Sequence, residues 1–158
     1  MGGSHSATGY QNGYLCLMAR DLFHEAVRNA LINDGWTITH DPYPIKLMDF
    51  DLDVDLGAER TLAAERGLGD SVEKIAVEIK TFLSASFMRD FHNAVGQYTN
   101  YLLLMNVQEA DRKLYLAVPK DVYALRFDRP GVRFICEQAH ISLVVYDEDN
   151  QQIELWKK

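Results

Sequence analysis

Residues 74–82 read KIAVEIKTF, and this stretch sets the architecture. Ile75, Val77 and Ile79 alternate with Ala76, Glu78 and Lys80, the two-residue period of a β-strand. Its apolar, bulky flanks predict a central strand covered on both faces rather than an edge. Glu and Lys are seldom buried without a partner or a role, so Glu78 and Lys80 on one face of such a strand mark it for chemistry.

Downstream, Ser84 or Ser86 is placed to cap a long helix running to about Met105. Phe87, Phe91, Ala94 or Val95, Tyr98 and Leu102 form its apolar stripe, and Gln97 and Tyr101, four residues apart, share a neighbouring face. KLYLAV (113–118) reads as the next strand, ended by Pro119, and residues 120–127 as a short helix. Arg129-Pro130-Gly131 reads as a turn, and Ile141–Tyr146 and Gln152–Trp156 as two closing strands joined by a hairpin at Asp-Glu-Asp-Asn.

Upstream, Arg20–Asp34 carries Phe23, Val27, Ala30, Leu31 and Asp34 at spacings of three and four, an amphipathic helix stopped by Gly35. Trp36–His40 is β-rich and ends at the turn signal Asp41-Pro42. Met48–Leu56 alternates strictly, with Phe50, Leu52, Val54 and Leu56 on one face and Asp49, Asp51, Asp53 and Asp55 on the other. Aspartate is a poor strand former and like charges on one face repel, so water or a cation must offset that cost. Residues 57–73 are polar, and the strand is expected to run through their Ala-rich part into a loop at Gly67-Leu68-Gly69-Asp70. The order α, β, β, β, α, β, α, β, β predicts one α/β domain (α+β, mixed sheet) spanning 18–158. Residues 1–17 (MGGSHSATGYQNGYLCL) lack the pattern of a signal peptide and read as a flexible leader, a tag or an over-extended start.

The chain has 158 residues, 47% of them hydrophobic and 25% charged, values that exclude whole-chain disorder. No apolar run is long enough for a transmembrane helix, so no membrane partner is expected. The net charge of −7 argues against a nucleic-acid binder held by a basic surface. It is unevenly spread: residues 41–78 carry ten acidic against four basic residues, whereas residues 79–158 are balanced at ten each. Cys16 and Cys136 form neither a disulfide framework nor a zinc spacing and read as plain thiols of a reducing, cytoplasmic compartment.

Glu78 and Lys80 stand roughly 7 Å apart along a strand. Glu78 can ligate a hard divalent cation, Mg²⁺ or Mn²⁺, through oxygen. Lys80 can hold a water or a phosphoryl oxygen beside it, an aspartate of the neighbouring strand can add a second carboxylate, and the backbone carbonyl of Ile79 a third oxygen. Such a site lowers the pKa of bound water and stabilises charge developing on phosphorus.

Asp55-Leu56, then IAVEIK (75–80), then the helix with Gln97-Tyr98-Thr99-Asn100-Tyr101 resembles the PD-(D/E)xK nuclease superfamily, whose restriction-endonuclease-like core has a mixed central sheet flanked by helices. A narrower resemblance is carried by ARDLFHEAVRNALINDGWTITHDP (19–42), DLGAERTLAAERG (55–67), KIAVEIKTFLSASFMRDFHNAVGQYTNYLLLM (74–105) and YLAVP (115–119). These look like the XisH family, the fdxN-element excision controlling factors of cyanobacteria. That resemblance covers about residues 18–158. It implies a part in programmed excision of a DNA element during heterocyst differentiation, beside an XisI-like protein and a separate recombinase.

The superfamily pattern implies Asp55 as first acidic ligand, with Asp53 as its rival, Glu78 and Lys80 as the Glu-x-Lys half, and Gln97 and Tyr101 as the helix motif. It also implies a possible metal ligand at Glu25 on the first helix. His24 and His92 lie near the site in sequence order and read as surface or capping residues. Val54 stands where the pattern has proline, and the interval from Asp55 to Glu78 is long for it. Two functions are thus expected as alternatives: a metal-dependent deoxyribonuclease whose DNA affinity is weak without metal or a partner, or a catalytically silent accessory binding an XisI-like protein or the recombinase complex. A toxin or defence component related to restriction is a third, and a homo-oligomer is compatible with each.

Overall fold

The computed structural model describes residues 8–63 and 69–158. Residues 1–7 of the expected leader and Gly67-Leu68 of the expected loop lie outside them. Helix α1 covers Thr8–Asn33, so it begins before the expected Arg20; 8–19 holds no proline, only Gly9 and Gly13 strongly oppose a helix there, and extending one is cheap once it is nucleated. Its end is as the sequence indicates: Gly35 adopts a φ of +89°, a region that favours glycine, and the Trp36 N–H returns to the Leu31 carbonyl at 3.0 Å.

The strands are β1 (Thr37–His40), β2 (Tyr43–Leu47), β3 (Phe50–Val54), β4 (Leu56–Leu62), β5 (Ser71–Ile79), β6 (Arg112–Pro119), β7 (Leu143–Asp147) and β8 (Gln152–Lys157). Helix α2 covers Phe87–Gln108, α3 covers Lys120–Val122 and leads into a π-helical turn at Tyr123–Phe127, and α4 covers Pro130–Gln138. Ser86 rather than Ser84 caps α2, its side chain accepting from the Arg89 N–H at 3.3 Å.

Six strands form one mixed sheet in the order β1-β4-β5-β6-β7-β8, while β2 and β3 pair separately. β5 runs antiparallel to β4 and parallel to β6, the central place that its apolar flanks require. One face of the sheet packs Ile75, Val77, Tyr115, Ala117, Val144 and Tyr146 against Ala26, Val27 and Leu31 of α1. The other packs Ala76, Leu114, Leu116 and Val118 against Phe91, Ala94, Tyr98, Tyr101 and Met105 of α2, with Tyr43, Ile45 and Val54 from the small sheet and Phe127, Val132 and Cys136 beyond. The fold class is therefore the expected α/β with a mixed sheet flanked by helices.

Two expectations are corrected. The alternating strand 48–56 is broken at Asp55, where the chain bends out of the small sheet and enters the large one as β4. The strand does continue beyond Leu56 as expected, to Leu62, because Leu56 to Leu62 pair with Val77 to Ser71 in an antiparallel ladder. Pro130-Gly131 starts a helix rather than a simple turn: proline at the first helical position loses no bond, and Val132 and Cys136, four residues apart, bury one face. The sequence order also lacked β2, whose Tyr43 and Ile45 are buried while Pro44 sits in a two-stranded ribbon.

Candidate functional site

The bend at Asp55 takes the backbone off the ladder just after Val54, and its side chain replaces the lost pairing. Asp55 Oδ2 accepts from the Ile79 N–H at 2.7 Å. The next amide, Lys80 N–H, points the other way to the Ala117 carbonyl of β6 at 3.2 Å. Both backbone polar groups of a strand residue face the same neighbour, so the Ile79 carbonyl lies on the Asp55 edge as well.

Glu78 is on the α2 face of β5 and only 4% exposed. Oε1 accepts from Lys80 Nζ at 3.0 Å, and Oε2 is buried with no partner. Burial, and then the negative charge of Asp55, push the Glu78 carboxyl up to about 7, with Lys80 pulling the other way. Asp55 and Glu78 therefore already repel across this edge, and a cation would relieve both.

Gln97 and Tyr101 meet as their spacing suggests, Gln97 Nε2 donating to the Tyr101 hydroxyl at 2.7 Å. The Tyr101 hydroxyl then donates to the Asp53 backbone carbonyl at 3.1 Å, pinning α2 to the end of β3. The Tyr101 ring is buried in the core, and burial together with the charges of Glu78, Asp55 and Asp53 raises its pKa. Asp53 uses its backbone here while its side chain faces solvent. Glu25 and His92 are exposed on α1 and α2. His24 is half-buried, with Nε2 2.9 Å from Asp41 Oδ1.

A cleft of about 530 Å³ opens between α1 and the end of β5, lined by the polar side chains of Arg20, His24, Asp55, Lys80 and Thr81 and by apolar ones including Leu15, Ile79 and Leu83. Glu78 does not line it, but its carboxylate meets Lys80, which does.

A family model described as "XisH protein" matches residues 17–154. The chain belongs to the XisH family. The crystal structure of an XisH family protein from Nostoc punctiforme PCC 73102 superimposes with a TM-score of 0.76 at 34% identity, covering 87% of this chain and 100% of that one. An fdxN element excision controlling factor protein from Anabaena variabilis superimposes at 0.75 with 37% identity, covering 87% of this chain and 99% of that one. No curated protein matches the chain.

For this XisH-family chain the donor set can be matched to ions. Among the described residues no group of three or more His, Cys, Asp or Glu side chains is placed to hold a metal, which does not fit the closed cages of structural zinc. Asp55 Oδ1, the orphaned Glu78 Oε2 and the Ile79 carbonyl are hard oxygen donors. One or two carboxylates completed by water is the usual manner of holding Mg²⁺, so these residues fit that ion.

Sequence reasoning passed over Arg20 and Asp41. Arg20 Nη2 stands 4.0 Å from Asp55 Oδ1, and Asp41 holds both His24 and Arg28. The available signal was the four-residue spacing of Arg20, His24 and Arg28, which puts them on one line of α1.

Proposed function

We propose that this chain acts in programmed excision of a DNA element, as the designation of its Anabaena variabilis relative suggests, and that it carries a divalent-cation-dependent phosphodiester-cleaving site of the PD-(D/E)xK kind. The observation that carries this reading is Glu78. A buried carboxylate oxygen without a partner, beside a second carboxylate, is a costly arrangement that the ion pair to Lys80 only partly offsets. Asp55, Glu78 and the Ile79 carbonyl would hold Mg²⁺ or Mn²⁺, which when bound supplies charge stabilisation at phosphorus and a more acidic water. Lys80, 32% exposed at its side chain and tethered by Glu78, reaches the cleft and holds a water or phosphoryl oxygen there. Gln97 and Tyr101 do not line the cleft; they brace the Asp53–Asp55 corner from behind.

The test is Mn²⁺-dependent cleavage of supercoiled and single-stranded DNA. The parent should cleave, and Glu78→Ala and Lys80→Ala should each lower the rate by about a hundredfold or more. A parent with no cleavage above background in Mg²⁺ or Mn²⁺, indistinguishable from Glu78→Ala, overturns the nuclease reading.

One observation favours the accessory reading in parallel. Leu15, Met18 and Leu22 are 67%, 63% and 71% exposed at helical spacing along α1, an uncovered apolar line suited to a protein partner such as an XisI-like protein. Co-purification with that partner, unaffected by Glu78→Ala and lost with Met18→Asp or Leu22→Asp, would support it; co-purification indifferent to both aspartates would remove it.

A further inference from the structure

The two α1 side chains that bring ionisable groups to the cleft, Arg20 and His24, are held very differently. His24 is fixed against Asp41 at 2.9 Å, whereas the Arg20 side chain is 80% exposed and only reaches 4.0 Å from Asp55 Oδ1. An exposed pair at that separation holds weakly, so the guanidinium is free to move. Arg20 also stands on a particular oxygen. Asp55 Oδ2 is committed to the Ile79 N–H, so Oδ1 is the atom Asp55 has left for a cation. A divalent ion and Arg20 therefore compete for one carboxylate oxygen.

The cleft offers the displaced guanidinium a destination. Lys80 is its other cationic side chain, on the opposite wall, and the planar fork of arginine matches two oxygens of a phosphate. Arg28 is not an equivalent candidate: it is tied to Asp41 at 3.7 Å and does not line the cleft.

We propose, on the footing of the phosphodiester site described above, that Arg20 is a substrate-holding residue. It neutralises Asp55 in the metal-free chain and turns to a DNA phosphate once a divalent cation occupies Asp55.

The idea predicts effects of opposite sign from one exposed substitution, which a merely structural role would not produce. Mn²⁺ affinity is measured by calorimetry, and affinity for a fluorescent single-stranded oligodeoxynucleotide by anisotropy in Ca²⁺. Arg20→Ala should tighten Mn²⁺ about two- to fivefold, because a like charge is removed, and weaken the oligonucleotide about tenfold, because a phosphate contact is lost. Arg20→Lys should keep most of the oligonucleotide affinity. Unchanged or weaker Mn²⁺ binding in Arg20→Ala, or oligonucleotide binding that is unchanged or absent in the parent, overturns the proposal. If the parent still cleaves DNA in that case, the nuclease reading stands without it; a parent that neither binds Mn²⁺ nor cleaves takes both down.

Discussion

Glu78 is folded into a place that suits its neutral form. Its ordinary value of 4.5 rises to about 7, first through burial and then through Asp55. An acid whose folded pKa lies above its unfolded one binds its proton more readily when folded. Its contribution to stability is complete below about 4.5 and is lost as pH rises through 7, so above that range ionised Glu78 costs about 3 kcal/mol. Glu78→Gln should therefore be about 2–3 kcal/mol more stable than the parent at pH 8.5 in urea unfolding, with the difference vanishing near pH 4.5. A variant no more stable than the parent at pH 8.5 would contradict this account of the residue. At this scale the sequence was informative: the two-residue period alone puts Glu78 and Lys80 on one face. It was silent on the bend at Asp55, because a strict apolar–polar alternation gives no sign that the chain turns there and that a carboxylate takes the place of a ladder carbonyl.

Among elements, β5, β6 and α2 were legible because each is a long segment with one unbroken period. β2 and α4 were not, since a proline inside one and at the start of the other reads as punctuation. The stripe of α2 shifted too. Leu102 was expected at its core and is only partly buried, while Tyr101 and Met105 are buried, so Tyr101 does double duty as core ring and hydrogen-bond donor. A second polar cluster, far down β5 from Glu78, was not foreseen at all. Arg112, 4% exposed at the start of β6, donates to the Ile75 carbonyl at 2.9 Å, to Glu59 at 2.7 Å and to Glu109 at 2.8 Å, and lies 4.7 Å over the Tyr43 ring. It joins β4, β5, β2 and the end of α2. Arg112→Ala would strand Glu59 and Glu109 and a backbone carbonyl, and should cost about 3–5 kcal/mol in urea unfolding. Burial raises the Glu109 pKa, but hydrogen bonds from Arg112, Tyr43 and Lys74 outweigh it and hold it at about 2. A depressed carboxyl stabilises above its unfolded value and loses that contribution as pH falls through its folded one. The parent should accordingly lose stability between about pH 4.5 and 2, and Glu109→Gln should flatten that slope; an unchanged slope would remove Glu109 from the clamp.

On the scale of the molecule, the net charge of −7 resolves into parts with different fates. Asp49, Asp51 and Asp53 are solvated, whereas Asp55 and Glu78 converge at the end of the central strand. Of the basic side chains near them, Lys80 is paired with Glu78 at 3.0 Å and Arg20 stands loosely at 4.0 Å from Asp55. Arg20 and Lys80 are thus partly neutralised in the metal-free chain, which is why DNA affinity should rise when a cation takes over their carboxylates. A mixed sheet between helices was legible from the order of elements; the strand order that sets β5 beside both β4 and β6 was not, because pairing between distant strands leaves no mark in local periodicity. The central claim, that Asp55 and Glu78 together hold a divalent cation, is tested most directly by calorimetric titration of the parent and Glu78→Ala with Mn²⁺. The account predicts saturable binding to the parent at one site, weakened about tenfold or more in Glu78→Ala. No binding to the parent, or equal binding to both proteins, would contradict it.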